Sequence, residues 1–477
     1  MSALDQLAGA HALFLNWRDP RHPQAGGAEV YCHEIARRWV AAGIRVTLLT
    51  ARFGGAAGWE TLDGVEIRRA GGTFGVYAAA AHHLRTHRHE YDLVVDFQNG
   101  IPFFSPLFAG QWTPCVCVIH HVHQDQFDLR FHWPMNTIGR SLEKPVSRWV
   151  YRGRPVIAVS PSTREQIRRR LGFTNPVHLV PSGSSPPLAG LPPRSAAPRI
   201  AVVSRLVPHK RMALLLDAVP AVLRHWPDLR IDIAGDGSEL PSLRKQAAAL
   251  GLGLSTILHG RVSEEQKCAL LAQAWLTVLP SSGEGWGLGV IEANSVGTPA
   301  LAFDVPGLRD AVEPGRTGWL LPPGADLAAG IDHALEDCAN PGVARRLAEE
   351  CHTWAAGFSW DSSALRLAEV VLAESRRTQR HRHSRRSPCD LAVVADFEAV
   401  DGDALERLMG SALRRTDSWI RAGDRFRVLL DSCDEVRALR VLNRLGVRNA
   451  TVTLAGRADL LHRLDQGRSW PAPGLPT

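Results

Sequence analysis

Short apolar runs alternate with amphipathic segments from the start of the chain. Residues 11–16 (HALFLN) read as a buried strand, 28–43 (AEVYCHEIARRWVAAG) as a helix, and 45–50 (RVTLLT) as the next strand. Further strands are expected at 65–70, 92–96, 115–120, 155–160 and 177–181. Near-continuous apolar strands separated by helices predict a parallel, doubly wound sheet. The stretch 182–199 (SGSSPPLAGLPPRSAAPR) is rich in Pro, Ser and Gly and reads as an interdomain linker. A second series follows, with strands expected at 199–205, 230–235, 255–260, 276–281, 299–303 and 318–322.

The pattern therefore predicts two tandem α/β domains, both doubly wound and Rossmann-like, at residues 1–185 and 186–375, facing each other across a cleft. The last helices of the second cross back. Residues 376–388 read as a basic linker, 389–460 as a small α+β unit of ferredoxin-like type with β-α-β-α-β spacing, and 461–477 as a tail. Residues 140–154 are basic with Trp149 interleaved. They fit either a contact with an anionic membrane surface or a buried helix with a solvated face, interrupted at Pro145.

Composition narrows the class. Among 477 residues, 45% are hydrophobic and 22% charged, which excludes a disordered or collagen-like chain. No apolar run approaches a membrane span, and residues 1–17 lack the basic segment of a signal peptide. The eight cysteines are scattered, so a reducing cytoplasm is expected, with peripheral contact to the inner membrane face as an option. The net charge of +7 favours anionic partners, but it is dispersed and carried on no nucleic-acid module. Of 55 basic residues only Lys144, Lys210, Lys245 and Lys267 are lysine.

Four motifs carry chemistry. In SSGEGWGLGVIEA (281–293) a glycine-rich loop joins a strand to a helix, with Glu284 and Glu292 eight residues apart. Open amides at a helix start suit an anion, and a carboxylate beside them suits sugar hydroxyls. In SRLVPHKR (204–211), Arg205 is expected to end a strand and Lys210 to start a helix, two cations able to neutralise a diphosphate. Gly26 and Gly27, opening the first helix, allow close approach of a ligand; they do not form a dinucleotide fingerprint. His120 ends a strand in VIHHVHQDQF (118–127) and faces the expected cleft. This H-H-x-H does not converge on a metal as two histidines on one helix face do. The turns IAGDGSEL (233–240) and HGRVSEEQ (259–266) are two further candidates to line a nucleotide pocket.

Together these motifs resemble glycosyltransferase family 4 with the GT-B fold, over roughly residues 11–375. The resemblance implies sugar transfer from a nucleotide-diphosphate sugar with retention of configuration, to a sugar or lipid-linked acceptor, with no cofactor and no metal. It implies that Arg205 and Lys210 hold the diphosphate. Glu284 contacts the sugar beside the amides of Gly285, Trp286, Gly287 and Leu288, and Glu292 binds the ribose. Arg261 and Val262 flank the base, Gly26 and Gly27 close on the donor, and His120 touches the transferred sugar, with His121 as a competing assignment. The small unit faintly resembles a degenerate GGDEF domain, reading Ala422-Gly423-Asp424-Arg425-Phe426, with Arg425 at the glutamate position. A GT-B epimerase or phosphorylase, and a nucleotide-binding regulatory module with an idle transferase half, remain the alternatives.

Overall fold

The computed structural model describes residues 2–125, 127, 132–383, 391–414, 417–431, 433 and 435–456. Two compact units divide the chain, Met1–Thr378 and Gln379–Thr477.

The first unit has two lobes. The amino-terminal lobe carries β1 (His11–Leu15), β2 (Arg45–Ala51), β3 (Trp59–Leu62), β4 (Val65–Ala70), β5 (Leu93–Gln98), β6 (Cys115–Ile119), β7 (Val156–Ala158) and β8 (Val177–Leu179). Their order is β3-β4-β2-β1-β5-β6-β7-β8, parallel except for the β3–β4 hairpin. Ala12–Leu15 and all of β5 and β6 are buried, as strands covered on both faces must be. Edge strand β3 was not expected. It is closed by Asp63 and Gly64, both at positive φ (50° and 78°), the geometry of a two-residue hairpin turn.

The carboxy-terminal lobe carries β9 (Arg199–Val203), β10 (Arg230–Ala234), β11 (Thr256–Gly260), β12 (Thr277–Leu279), β13 (Ala300–Phe303) and β14 (Gly318–Leu321). Parallel triplets β11-β10-β9 and β12-β13-β14 are joined by a bridge between Ile200 and Leu276. Helix Trp360–His383 packs on the first lobe. Trp39 Nε1 donates to Ala364 O at 3.0 Å, and Arg154 pairs with Glu374 at 2.8 Å.

Three local expectations need correction. The last helix runs through the basic stretch to His383, because Arg377 pairs with Glu374 at 2.6 Å and Arg376 bonds Gln6 at 2.5 Å; residues 384–390 lie outside the described ones. Pro145 does not interrupt its helix. Met135–Ser141 is α-helical, Leu142–Val146 a π turn and Ser147–Val150 α-helical again. A widened turn tolerates the missing proline N–H. In the second unit a strand was missed: β15 (Leu391–Glu398), β16 (Ser418–Ala422), β17 (Arg425–Leu430) and β18 (Thr451–Gly456) alternate with two helices as β-α-β-β-α-β. The antiparallel order is β16-β17-β15-β18, the ferredoxin-like arrangement. Gly423, at φ 63°, turns the β16–β17 hairpin, so the 422–426 segment lies there. Tail residues 461–477 lie outside the described ones.

Candidate active site at the interlobe cleft

Among the parallel strands of each lobe the order reverses once, and ligands of open α/β sheets bind at the carboxyl ends flanking that reversal. In the first lobe the reversal falls between β1 and β5. The residues just past them, Asn16 and Asn99, meet through Asn99 Nδ2 to Asn16 Oδ1 at 2.8 Å. In the second it falls between β9 and β12, followed by Arg205 and by the Ser281–Gly287 loop. The two reversals border one cleft of about 1260 Å³.

All thirteen site residues expected from the sequence line this cleft. Arg205 lies two residues beyond β9 rather than at its end, and Lys210 closes a 3-10 turn, Pro208–Lys210, ahead of a helix that starts at Met212. Arg211, at φ 52°, makes the break between turn and helix. Lys210 Nζ donates to Glu284 Oε1 at 2.5 Å, and Ser281 Oγ donates to the same oxygen at 2.7 Å. Burial pushes the Glu284 carboxyl up. Lys210, Ser281 and His209 outweigh it and hold the group below its ordinary value.

Glu292 lies one turn into the helix Leu288–Ser295. Its partner was not foreseen. Lys267 Nζ donates to Glu292 Oε1 at 2.8 Å and pairs with Glu264 at 2.7 Å. Burial opposes the Lys267 charge, but the two carboxylates raise its pKa above the ordinary lysine value. Ser281, Asn16 and Asn99 were also missed. The one available signal was lysine scarcity, since two of the four lysines pair with the two glutamates of this motif.

The lobes touch through backbone at the glycine loop. A Cβ on Gly285 would sit 2.1 Å from His120 O, and one on Gly26 would sit 2.8 Å from Arg205 Nε. At Gly285 the neighbour is backbone, so only glycine permits the approach, whereas at Gly26 the Arg205 side chain would have to move. Thr163 Oγ1 donates to Gly285 O at 3.0 Å, and Arg261 Nη2 reaches Pro23 O at 2.8 Å. Arg261 thus bridges the lobes beside Val262. Gly27 opens the helix Gly27–Ala41, and a Cβ on it would lie 3.8 Å from Leu288 Cδ2. Of the loop amides, Glu284 N–H is spent on Pro306 O and Leu288 N–H on Trp286 O, both at 2.9 Å. This removes Leu288 from the amides open to a ligand. Trp286 is largely buried against Phe358, ring centroids 5.0 Å apart.

His120 is buried edge-on to Tyr31, and its Nε2 has no protein partner. Burial, with His123 adding, pushes its pKa down to about 3, so the ring is neutral. His121 is held down to about 3 by burial as well, with its Nδ1 unpartnered. Both line the cleft, so both assignments stay open. Among the described residues no group of three or more His, Cys, Asp or Glu is placed to hold a metal. No helix among them is long and apolar enough to cross a membrane.

The family model "Glycosyltransferase Family 4" matches residues 25–186, and "Glycosyl transferases group 1" matches residues 190–351. A D-inositol 3-phosphate glycosyltransferase of Streptomyces scabiei is 37% identical over 203 residues, 40% of this chain and 45% of the relative. The chain thus spans less than half the length of that relative. Glycogen synthase of Mycobacterium tuberculosis is 28% identical over 268 residues, 55% of this chain and 64% of the relative. Sucrose-phosphate synthase from Thermosynechococcus elongatus superposes with a TM-score of 0.65 at 20% identity, covering 79% of this chain and 100% of that one. HepE from Anabaena, solved with UDP and glucose, superposes at 0.58 and 20% identity over 76% of this chain and 98% of that one. With one family model on each lobe and this architecture, the chain belongs to glycosyltransferase family 4, built on the GT-B fold.

Proposed function

We propose that the protein transfers a hexose of mannose or glucose type from a nucleotide-diphosphate sugar to a cell-envelope glycolipid, polysaccharide or small-molecule acceptor, with retention of configuration. The observation that carries this reading is the pairing of both motif glutamates with lysines at the second lobe's strand reversal, beside Arg205. Arg205 and Lys210 receive the diphosphate. Lys210 then exchanges its contact with Glu284 for one with phosphate, and Glu284 turns to the sugar hydroxyls. Glu292, held by Lys267, takes the ribose.

The bond from the anomeric carbon to the diphosphate oxygen breaks, and negative charge collects on the leaving group. Fixed cations and loop amides there stabilise the transition state, each such donor contributing about 3–4 kcal/mol. The acceptor hydroxyl attacks on the leaving-group face and gives its proton to the departing phosphate oxygen. Neutral His120 and the Gly26–Gly27 turn close the sugar side and exclude water. Charge neutralisation by Arg205 and Lys210 requires no metal. HepE, of the same fold, is solved with UDP and glucose, which supports a nucleotide-sugar donor.

The test is thermal unfolding against UDP, GDP and their sugar conjugates, beside the double variant Lys210→Ala/Glu292→Ala. A ligand at ~100 times its Kd stabilises by about 2.7 kcal/mol, a shift of several degrees. One nucleotide should shift the wild type and not the variant. No shift with any of them, in folded protein, overturns the reading.

A further inference from the structure

One helical run in the first lobe, residues 135–150, exposes large apolar side chains. Ile138 is 46% exposed and Trp149 67%, with Trp133 at 81% just ahead. The run has a fixed inner face at Gly139, Glu143, Ser147 and Val150, all buried. Glu143 accepts from His123 N and from Gln124 Nε2, both at 2.6 Å, and Val150 sits in the β6–β7 core. A Cβ on Gly139 would lie 2.6 Å from the Phe127 ring.

Two rows flank that inner face. Ile138, Leu142 and Trp149 each precede a buried position by one residue. Arg140, Lys144 and Arg148 each follow one, and all three are exposed. At about 100° per residue, the apolar row lies on one side and the cationic row on the other. A recess of about 300 Å³ opens among Gln124, Thr137, Arg140, Ser141, Lys144 and Pro145. Two cations and two hydroxyls line it.

We propose that this face docks the protein on an anionic bilayer. The Ile138–Leu142–Trp149 row enters the interfacial apolar layer, and the Arg140–Lys144 recess holds lipid phosphate. Apolar and basic rows on the two exposed flanks of one helix fit an interfacial element, and tryptophan favours that depth. A second copy would set the same row of cations against itself.

The full chain is sedimented with vesicles of phosphatidylcholine alone and of phosphatidylcholine mixed with phosphatidylglycerol. Binding is expected only to the mixed vesicles, weakening with salt. Ile138→Ser/Trp149→Ser and Lys144→Glu should each weaken it at least tenfold, with unchanged circular dichroism. Lys245→Glu, at an exposed lysine on another helix, should bind as wild type. If the apolar pair fails to fold, Lys144→Glu alone decides. Equal binding to neutral vesicles, no binding at all, or variants that bind as wild type because the basic 376–386 segment carries the contact, would each overturn the proposal. So would displacement from the mixed vesicles by millimolar inorganic phosphate at constant ionic strength, which would assign the recess to a soluble ligand.

Discussion

Replacing Gly285 by alanine adds one methyl where the lobes meet through backbone. That methyl would lie 2.1 Å from His120 O and 3.6 Å from Val159 Cγ2. A carbon–oxygen contact of this kind needs ~3.4 Å, so the lobes must part there by roughly 1.3 Å. The oxygen is backbone, one residue past β6, and cannot swing aside as a side chain would. A displacement of about 1 Å between parts of a catalytic site costs about 100-fold, or ~2.7 kcal/mol. Arg205, Lys210, Lys267 and Glu292 all sit on the second lobe, so nucleotide affinity should change by less than about twofold. Steady-state turnover and nucleotide titration on the same samples separate the two effects. Gly283→Ala is the control: its methyl would lie 4.0 Å from His121 Nε2, an ordinary contact. Wild-type turnover in Gly285→Ala, or equal damage in Gly283→Ala, would refute the closure argument.

Lys267→Met should raise the KM for the nucleotide-sugar about tenfold, ~1.4 kcal/mol, with kcat within about twofold, because Lys267 acts through Glu292. Lys267→Arg should recover part of it, and a fall in kcat at constant KM would contradict the assignment. His120 and His121 are held neutral by burial, with pKa values pushed down to about 3, whereas an unfolded histidine titrates near 6.5. The unfolded chain therefore binds protons first as pH falls, so this contribution is full above about pH 6.5 and is lost towards pH 3. His120→Gln should flatten the fall of the unfolding midpoint between pH 7 and 4.5; an unchanged slope would count against a buried neutral ring. Treatment with EDTA should leave turnover intact, and loss of turnover restored by a divalent cation would show that Arg205 and Lys210 do not suffice for the leaving group.

Strands were readable where both faces are buried, because apolar runs such as 93–97 and 115–119 leave no other reading. The two missed strands lie at sheet edges. The residues of β3 and β16 alternate between exposed and partly buried, so neither shows an apolar run, although Asp63-Gly64 marked the first hairpin. Residues at strand ends were readable for a topological reason. Each βα turn follows its strand directly, so topology alone brings Arg205 and Glu284 to the strand reversal. The pairing of Lys267 with Glu292 has no such local cause. They lie 25 residues apart on different helices, and only packing of Glu264–Gln273 beside Leu288–Ser295 brings them to 2.8 Å.

Lysine at these two positions also has a physical explanation in a chain whose basic residues are otherwise almost all arginine. The guanidinium fork engages both oxygens of a carboxylate, whereas an ammonium is a point charge that satisfies one. Here Lys210 and Ser281 share Oε1 of Glu284, and Lys267 takes Oε1 of Glu292. Each carboxylate is thereby oriented before a ligand arrives, while its second oxygen keeps the capacity to accept a hydrogen bond. A bidentate arginine would consume that capacity before the ligand arrived. Arg205, proposed above to receive the diphosphate, carries a planar fork, which suits two adjacent phosphate oxygens better than a single carboxylate oxygen.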